Sequence, residues 1–568
     1  MEIQKFDFTK AENQTCTIER TACCGGISTY TIRMRWGEKA IPAATLLKFD
    51  FSAKDTYSVW DCRRADRAKR WSGCVRASRL GSDMPVIQMI SRTGRNRSLF
   101  ALSDVKTPLS MKLTFNASLM HEIMEISFFT DIIDPIDEYT CELRIDERDI
   151  PFNSALDGVM DWYGELGYPG ARIPEQAKAP VYSTWYSYLT RVTQEDVIRE
   201  CRAAKDLGMD TVIVDDGWQR EDGQTIYGLT GDWEPYPPKF PDMRKLADDL
   251  HAIGMKFVLW FSVPFVGHFS KNFKRFEGKY LYDLDNIDCA VLDPRYKENR
   301  DFIISTYVNA AKNWKLDGFK LDFIDRFKAT GEFREGMDTV SVEEAVHVLL
   351  KDIYAALTAI DPEMMIEFRQ PYCGPVVSAY GNMMRVWDCP NDGFTNRAST
   401  IDLRLSCRSV VHSDMIRWSP DDAPECVAAQ LIGTMFSVPQ ISVRFDELTE
   451  EQARILKNYL NFWTAHRDTL LDGALTLQSP DSMYSYAEAR KDGEKIAFCV
   501  SQSYADVSDC PNCYLFNLSE RESLILRCKA GQKITVSDCA GCTVREFEAS
   551  GGLMEVQVPL SGMIYCKA

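Results

Sequence analysis

The amino-acid sequence predicts an α/β fold, a closed (β/α)8 TIM barrel flanked by two β-sandwiches. Three observations support it. Apolar strand-like segments alternate with helical segments between residues 181 and 443, and eight such units fit a barrel of this size. The two flanking regions show short strands and little helical periodicity. No glycine-rich phosphate loop follows the first strand, as it would in an open doubly wound sheet.

These changes along the chain divide it into three expected domains. An N-terminal β-sandwich covers residues 1–165, the barrel covers residues 178–473, and a C-terminal antiparallel β-sandwich covers residues 474–568. Segment Trp60–Arg67 is too charged for a core and is interpreted as a loop. Strands of the first domain are expected at Tyr30–Trp36, Pro85–Ile90, Met111–Phe115 and Met124–Phe129.

The barrel segments carry recognisable helix ends. Thr193 is an expected N-cap for a helix that stops at Gly208, and a helix from Asp242 to Ile253 stops at Gly254. Further helices are expected at Asn299–Trp314, Val342–Ile360 and Cys426–Phe436. The expected barrel strands are Val181–Ser187, Thr211–Val214, Lys256–Phe261, Gly318–Ile324, Met364–Arg369, Met383–Trp387, Val410–Trp418 and Pro439–Val443.

Composition and net charge indicate which classes of partner and which cellular location to expect. The 568 residues carry a net charge of −17, which disfavours nucleic acid and suits a neutral or cationic ligand. No apolar run is long enough to cross a membrane, and residues 1–7 lack the basic and apolar parts of a signal peptide. The 19 cysteines are scattered, as expected for reduced thiols. We therefore expect a cytoplasmic protein without a membrane partner.

Charged and aromatic residues gather where the barrel strands end. Barrel active sites lie at these carboxyl ends. Carboxylates accept hydrogen bonds from hydroxyl groups, indole rings stack on sugar faces, and two carboxyl groups can break a glycosidic bond. The pattern predicts a site for a neutral polyol. The residues at the strand ends are Asp215, Asp216, Trp218, Trp260, Lys320, Asp322, Glu367, Arg369, Arg385, Asp388 and Asp392, and Asp414 lies within the expected seventh strand.

Lys320 and Asp322 are the central pair of this set. They stand two positions apart in the apolar run Gly318–Ile324, so they project from the same side of a strand. Buried charges are costly unless they are paired or perform chemistry. A Lys–Asp pair that only closes the core is the structural alternative.

The order of these motifs resembles retaining α-galactosidases of glycoside hydrolase family 36 (clan D), with family 27 more distant. The resemblance rests on Val212–Gln219, Gly231–Trp233 with Lys239–Pro241, Gly254–Phe261, the Lys320-Leu-Asp322 strand, Arg385, and Tyr459–Gly473. These pieces cover about half of the chain. The two flanking sandwiches also match the family's three-part layout.

The resemblance implies a role for each matching residue. Asp322 is the implied nucleophile, and Lys320 binds sugar hydroxyls and keeps Asp322 ionised. Asp215 and Asp216 bind the C4 and C6 hydroxyls, which favours galactose. Trp260 forms a pocket wall and Arg385 contacts the C2 side of the ring. Glu367, Arg369 and Trp218 are further binding candidates, whereas Asp414 resembles a non-catalytic aspartate.

The acid/base is Asp388 or Asp392. The family places this residue three or four positions after the arginine, which favours Asp388, and Asp392 is the runner-up if the loop has an insertion. The implied reaction is hydrolysis of terminal α-galactosides by double displacement, without a metal or organic cofactor. An α-N-acetylgalactosaminidase, a transglycosidase and a non-catalytic sugar-binding relative are the alternatives. The family also suggests a homo-oligomer.

Three departures from the family pattern concern specificity. Leu321 replaces a tryptophan, residues 323–325 lack an expected asparagine, and Ser262–Phe265 replaces a Glu-Pro-Glu run. In the last domain, two Cys-x-x-Cys pairs have the spacing of a four-thiolate zinc site or are incidental turns. The pairs are Cys510 with Cys513 and Cys539 with Cys542.

Overall fold

The structure is a computed structural model of the full chain. It describes residues 3, 5–52, 55–62, 73–221, 226–328, 333–502 and 504–567. Strands and helices are numbered in chain order. Within these ranges, no helix is long and apolar enough to cross a membrane.

The N-terminal region is a β-sandwich of two sheets. A five-stranded sheet has the order β1-β4-β10-β9-β6, and a six-stranded sheet has the order β2-β3-β11-β8-β7-β5. Strand alternation places Leu47, Phe49 and Phe51 of β4 in the buried layer between the sheets. The strands are β1 (Phe6–Thr9), β2 (Gln14–Cys24), β3 (Ile27–Ala40), β4 (Thr45–Ser52), β5 (Ser58–Trp60), β6 (Cys74–Ser78), β7 (Val86–Ile90), β8 (Asn96–Leu102), β9 (Leu109–Asn116), β10 (His121–Phe128) and β11 (Ile136–Asp146).

The interpretation of Trp60–Arg67 as a loop outside the core is wrong for its described part. Trp60, Asp61 and Cys62 are buried, and residues 63–67 lie outside the described residues. Burial of Asp61 is offset because Arg76 donates to it at 2.5 Å. Charge in a segment therefore does not exclude burial when the partner comes from another strand.

The predicted barrel fold is confirmed as an eight-stranded parallel sheet. Its order is β21-β20-β19-β18-β14-β13-β12-β22. Parallel bridges of His412 with Val438 and of Ile416 with Ile441 join the seventh and eighth strand segments, which closes the cylinder. The barrel strands are β12 (Val181–Ser183), β13 (Thr211–Val214), β14 (Lys256–Ser262), β18 (Gly318–Asp322), β19 (Met365–Arg369), β20 (Met383–Arg385), β21 (Val410–His412) and β22 (Gln440–Ile441).

Several barrel strands are shorter than predicted because the chain turns as soon as it leaves the sheet. Strand β12 ends at Ser183, and residues 185–188 form a short helix instead of continuing the strand. An insertion after β14 forms a separate three-stranded sheet, which the sequence analysis did not predict. Its strands are β15 (Phe265–Gly267), β16 (Tyr280–Leu284) and β17 (Cys289–Leu292).

The two helices that follow Thr193 and Asp242 begin and end within two residues of the predicted positions. Thr193 and Asp196 form a capping box at the start of α3, and Asp242 caps α4 through the Lys245 backbone N–H at 2.9 Å. Gly254 ends α4 with a φ of 86°. The helices are α1 (Phe152–Glu165), α2 (Trp185–Tyr188), α3 (Gln194–Asp206), α4 (Met243–Ile253), α5 (Lys297–Trp314), α6 (Val342–Thr358), α7 (Pro375–Ser378), α8 (Gly393–Ser406), α9 (Pro424–Gly433), α10 (Glu450–Ala465) and α11 (Arg467–Asp472).

The C-terminal region packs a seven-stranded sheet against a three-stranded sheet. The orders are β23-β24-β25-β27-β32-β29-β30 and β26-β28-β31. Most pairs are antiparallel as predicted, but β25 with β27 and β26 with β28 are parallel. The strands are β23 (Ala474–Gln478), β24 (Tyr486–Lys491), β25 (Glu494–Cys499), β26 (Tyr504–Asp506), β27 (Asn512–Asn517), β28 (Ser523–Cys528), β29 (Lys533–Ser537), β30 (Thr543–Glu548), β31 (Gly552–Gln557) and β32 (Met563–Lys567).

One carboxylate on α8 connects all three parts of the chain. Asp402 is buried, and its Oδ1 accepts a hydrogen bond at 3.2 Å from Trp60 Nε1 of β5. The same oxygen accepts a hydrogen bond from the hydroxyl of Tyr484, which precedes β24. A barrel helix is thereby tied to both flanking β-domains.

We expect Gly318→Ala to destabilise the protein by about 1–3 kcal/mol, the usual cost of overpacking a core. A Cβ atom at Gly318 would lie 2.6 Å from the Met365 carbonyl oxygen and 2.7 Å from the Met365 Cβ. Strands β18 and β19 would have to separate. Chemical denaturation measures the change in unfolding free energy. In the control Gly164→Ala, the nearest atom is 3.9 Å from the added Cβ, so a change of no more than about 1 kcal/mol is expected. Equal losses in both variants would contradict the packing argument.

Candidate active site

Asp322 ends strand β18 and is held by donors on both carboxylate oxygens. Its Oδ1 accepts from Arg369 Nε at 2.7 Å, from the Phe323 backbone N–H at 2.8 Å and from the Tyr372 hydroxyl at 3.1 Å. Its Oδ2 accepts from Trp260 Nε1 at 3.1 Å. Three of these four donors thus bind Oδ1, so Oδ2 accepts fewer hydrogen bonds.

The surroundings of Asp322 favour its ionised form. Burial alone would raise its pKa, but the positive charges of Arg369, Lys320 and Arg385 outweigh burial. The Trp260 hydrogen bond acts in the same direction, and the pKa lies well below the usual carboxyl range. Asp322 is therefore a carboxylate at every pH at which the protein would work.

Lys320 pairs directly with Asp215 and not with its strand neighbour Asp322. The Lys320 Nζ lies 2.5 Å from Asp215 Oδ2. Strand β18 and the end of β13 are thus joined across the top of β14, which lies between them in the sheet. The predicted influence of Lys320 on Asp322 is carried by charge, since Lys320 lowers the pKa of Asp322.

Asp216 is oriented by its own loop. Gln219 Nε2 donates to Asp216 Oδ1 at 2.7 Å, and Arg220 Nη2 lies 3.7 Å from Asp216 Oδ2. Burial raises the pKa of Asp216 to about 6, against the opposing charge of Arg220. Asp215 and Asp216 therefore differ in their partners, although they are adjacent in sequence.

Arg385 is buried and binds carboxylates from three segments. Its Nη2 donates to Asp388 Oδ1 at 2.9 Å, its Nε lies 3.7 Å from Glu367 Oε1, and its Nη1 donates to Asp414. Asp414 also accepts from the Tyr186 hydroxyl at 3.1 Å. Burial raises the pKa of both Glu367 and Asp414. With 1% of its side chain exposed, Arg385 is a support for these carboxylates rather than an exposed contact.

Asp388 and Asp392 have different structural settings. The side chain of Asp388 is 51% exposed and lies beside Arg385. Burial tends to raise its pKa, but Arg385 and then Arg369 lower it below the ordinary value. Asp392 is the N-cap of α8, where it accepts from the Thr395 backbone N–H at 3.0 Å and from the Thr395 hydroxyl at 2.6 Å. The Asp392 carboxylate thus caps the N-terminus of α8.

Aromatic rings line the side of the site next to Trp260. Trp233 lies edge-on to Trp260 with ring centroids 6.0 Å apart, and Tyr227 lies nearly parallel to Trp260 at 6.4 Å. Trp218 is completely buried behind them and donates from Nε1 to the Trp260 carbonyl at 2.9 Å. Trp260 is therefore fixed in orientation by its neighbours, and Trp218 holds it from behind.

Several residues that hold these side chains were not predicted from the sequence. Tyr372 and Tyr186 bind Asp322 and Asp414, and Thr184 Oγ1 accepts from the Asp215 backbone N–H at 3.0 Å. All three lie in the segments that directly follow barrel strands, which was the only available signal. Their partners are brought together by folding, so spacing does not reveal them.

The four cysteines proposed as a zinc site are not brought together. Among the described residues, the groups of three or more potential ligands within reach of one ion are Cys62–Asp83–Cys373 and His268–Asp283–Asp285. Neither contains Cys510, Cys513, Cys539 or Cys542. Cys513 is buried in the C-terminal core, whereas Cys542 is exposed, which favours the alternative that the two pairs are incidental turns.

We expect Tyr372→Phe to lower kcat by about tenfold to a hundredfold, because a hydrogen bond to a charged group is worth about 1.5–3 kcal/mol. The Tyr372 hydroxyl contacts Asp322 Oδ1 and the Leu321 carbonyl, at 3.1 and 3.2 Å. Steady-state kinetics on an aryl glycoside measures kcat and KM. Because the lost hydrogen bond is made to Asp322, KM should change little. Tyr380→Phe is the control, since its hydroxyl contacts His347. Unchanged kcat in Tyr372→Phe would contradict a positioning role.

Comparison with known proteins supports the resemblance. Residues 172–374 match the family model described as Melibiase. The chain is 26% identical over 226 residues to "Alpha-galactosidase 2" of Pediococcus pentosaceus, covering 38% of this chain and 31% of that enzyme. It is 24% identical over 227 residues to the "A type blood alpha-D-galactosamine galactosaminidase" of Flavonifractor plautii, covering 36% and 20%. The matched regions thus span a third or less of these relatives' own length.

The fold matches more of the chain than the sequence does. The crystal structure of the GH36 α-galactosidase AgaA from Geobacillus stearothermophilus superposes with a TM-score of 0.63 and 17% identity. The superposition covers 96% of this chain and 79% of AgaA. The family model covers β12, β13, β14, β18 and β19, which carry the side chains around Asp322. The expected resemblance is therefore confirmed over residues 172–374, the region that matches the Melibiase family model and is similar in sequence to α-galactosidases.

Proposed function

We propose that this protein is a retaining, exo-acting α-glycosidase, and specifically an α-galactosidase that hydrolyses terminal α-galactosides. One observation carries the proposal: an ionised carboxylate, Asp322, is fixed at the carboxyl end of a barrel strand, and a half-exposed second carboxyl, Asp388, lies near it. The two are close enough that the charge of Asp322 raises the pKa of Asp388. This is the pair of groups that glycoside hydrolysis requires.

The reaction would proceed by double displacement. Asp322 attacks the anomeric carbon, for which the less saturated Oδ2 is the suitable oxygen, while Asp388 protonates the leaving oxygen. Asp388 then removes a proton from water, and this water releases the sugar from Asp322. Retention requires the two carboxyl groups to lie about 5–5.5 Å apart around the bound sugar.

The proposed sugar contacts are Asp215, Asp216, Lys320 and Trp260. The carboxylates accept hydrogen bonds from hydroxyls, Lys320 donates to them, and the indole covers an apolar face of the ring. We assign Arg385, Glu367 and Trp218 to holding these contacts in place, because Arg385 pairs with Glu367 and Asp388 and Trp218 donates to the Trp260 carbonyl. Arg369 is assigned to orienting Asp322, to which it donates directly.

A second candidate is an α-glycosidase for 2-amino or 2-acetamido galactose. The Flavonifractor relative is named for galactosamine, and the chain departs from the usual family pattern at Ser262–Phe265. Transfer of the sugar to another sugar, in place of water, would use the same carboxylates.

A panel of nitrophenyl glycosides separates these functions. Hydrolysis of the α-galactoside above the α-N-acetylgalactosaminide and the α-galactosaminide supports the first proposal, and the reverse order supports the second. Proton NMR of the first product shows whether the α-anomer is released, as retention requires. Product analysis with an added sugar acceptor detects transfer. Binding of galactose without hydrolysis of any glycoside would support a non-catalytic sugar-binding protein instead.

We further propose a three-domain division at residues 1–165, 178–473 and 474–568, a cytoplasmic location and a homo-oligomeric state. All 19 cysteines are free, which suits a reducing compartment. The net charge of −17 argues against nucleic acid as a partner. Fractionation of the source cells and light scattering of the purified protein test the location and the oligomeric state.

A further inference from the structure

A second cluster of reactive side chains lies behind the candidate active site. Cys62, Asp83 and Cys373 each offer one ligand atom, and these atoms all lie within 4.8 Å of one another. All three residues are buried. Cys62 and Asp83 belong to the N-terminal region, whereas Cys373 follows barrel strand β19. Folding therefore assembles the cluster from segments that are far apart in sequence.

The backbone around the cluster is closely packed. The Asp83 backbone N–H donates to the Pro371 carbonyl at 3.3 Å. A Cβ atom at Gly374 would lie 2.9 Å from the Asp83 carbonyl oxygen, and Gly374 has a φ of 121° that other residues rarely adopt. The two segments that carry Asp83 and Cys373 are therefore held in fixed register.

Arg76 is shared between the carboxyl groups of Asp61 and Asp83 at the edge of the cluster. Arg76 approaches Asp83 at 3.5 Å, but its shorter ion pair is with Asp61 at 2.5 Å. The cluster offers two thiol sulfurs and a carboxylate oxygen, which are kinds of atom that bind zinc.

The spacing suits such an ion. Zinc binds sulfur at about 2.3 Å and carboxylate oxygen at about 2.0–2.2 Å, so tetrahedral ligand atoms lie roughly 3.5–3.8 Å apart. The ligand atoms of Cys62, Asp83 and Cys373 all lie within 4.8 Å of one another, and Cys62 Sγ lies 3.9 Å from Asp83 Oδ1, so small side-chain movements bring them to the zinc spacing. Burial excludes bulk water, which favours thiolate ligation over hydration.

We propose that Cys62, Asp83 and Cys373 bind a zinc-like divalent cation that fastens the N-terminal β-domain to the segment after β19. Each thiol releases its proton to solvent when it becomes a ligand, and the cation takes the place of these protons. A water molecule can complete the coordination. The neighbouring Tyr372 and Arg369 hold Asp322, so the cation would also stiffen the support of the candidate nucleophile.

Cobalt(II) titration of the reduced full-length protein tests the site. We expect a thiolate-to-cobalt charge-transfer band that saturates at one equivalent and disappears on addition of zinc. We expect the band to be lost in the double variant Cys62→Ala/Cys373→Ala. In Asp83→Asn, the cobalt affinity should fall at least tenfold. Asp83 has a φ of 63°, which asparagine tolerates, so this variant should fold even if the double variant does not.

Two controls complete the design. Cys426→Ala removes an exposed thiol, and His268→Ala disrupts the second group of potential ligands, His268–Asp283–Asp285. Both variants should keep the band. In thermal unfolding, zinc should raise the melting temperature of the wild type and of both controls but not of the double variant. A missing band in the wild type, a band that survives in the double variant, or a Cys62–Cys373 disulfide in freshly purified protein would overturn the proposal.

Discussion

Asp322→Ala and Asp322→Asn should lower kcat/KM on nitrophenyl α-galactoside on the order of 10⁴–10⁶-fold, the range seen when groups of a covalent catalytic unit are removed. The expected reason is that no other carboxylate in the described part of the chain occupies the end of β18. Steady-state hydrolysis measures the loss, and circular dichroism checks the fold. Asn is the cleaner variant, because its amide oxygen can still accept the hydrogen bond from Arg369, whereas Ala leaves the nearly buried Arg369 without an acceptor.

A rescue experiment distinguishes loss of the nucleophile from general damage. Added azide should restore sugar release in Asp322→Ala and give a galactosyl azide of inverted configuration, because the anion enters the space left by the carboxylate. The control is Asp317→Asn, one residue before β18, where Asp317 contacts His251 and Lys256. Full activity of Asp322→Ala, or rescue without a galactosyl azide product, would contradict the nucleophile assignment.

Asp388→Asn should lower kcat/KM by about 10²–10⁴-fold on substrates with poor leaving groups, the usual contribution of general acid–base catalysis. The loss should be smaller on nitrophenyl glycosides, whose leaving group needs less protonation. In the wild type, Asp388 must be protonated to act as the acid, and Arg385 lowers its pKa. The value of kcat/KM should therefore fall as pH rises through this lowered pKa, and Asp388→Asn should lose this alkaline limb.

Asp392→Ala is the matched control for Asp388. Loss of the α8 N-cap should cost about 0.5–2 kcal/mol of unfolding free energy and leave kcat and its pH dependence unchanged. The opposite pattern, in which the rate falls in Asp392→Ala and not in Asp388→Asn, would exchange the two assignments.

The barrel could be predicted from the sequence because its signals are local. Thr193, Asp242 and Gly254 mark helix ends through short-range hydrogen bonds, and the structure places caps at all three. The barrel strands could also be predicted locally, from short apolar runs. The insertion β15–β17 was missed because short strands in a loop have no periodicity long enough to detect.

Most residues of the candidate site could be predicted from the sequence, but not which of them contact one another. Reading strand ends collected Asp215, Lys320, Asp322 and Arg385, since parallel strands present their carboxyl ends at one face. That Lys320 binds Asp215, and that Arg369 and Tyr372 bind Asp322, depends on strand neighbours and loop conformation. These contacts span from 47 to 105 residues of sequence, beyond any spacing rule.

The carboxylate of Asp402 bears on how small this protein could be made. Helix α8 follows directly after the segment with Asp388, and Asp402 on that helix accepts hydrogen bonds from Trp60 and Tyr484. Trimming away either outer domain would remove a hydrogen-bond donor from a carboxyl group that is only 5% exposed, and would loosen the helix that follows the segment with Asp388. A minimal version consisting of the cylinder alone should therefore be a poor catalyst, even if it folds.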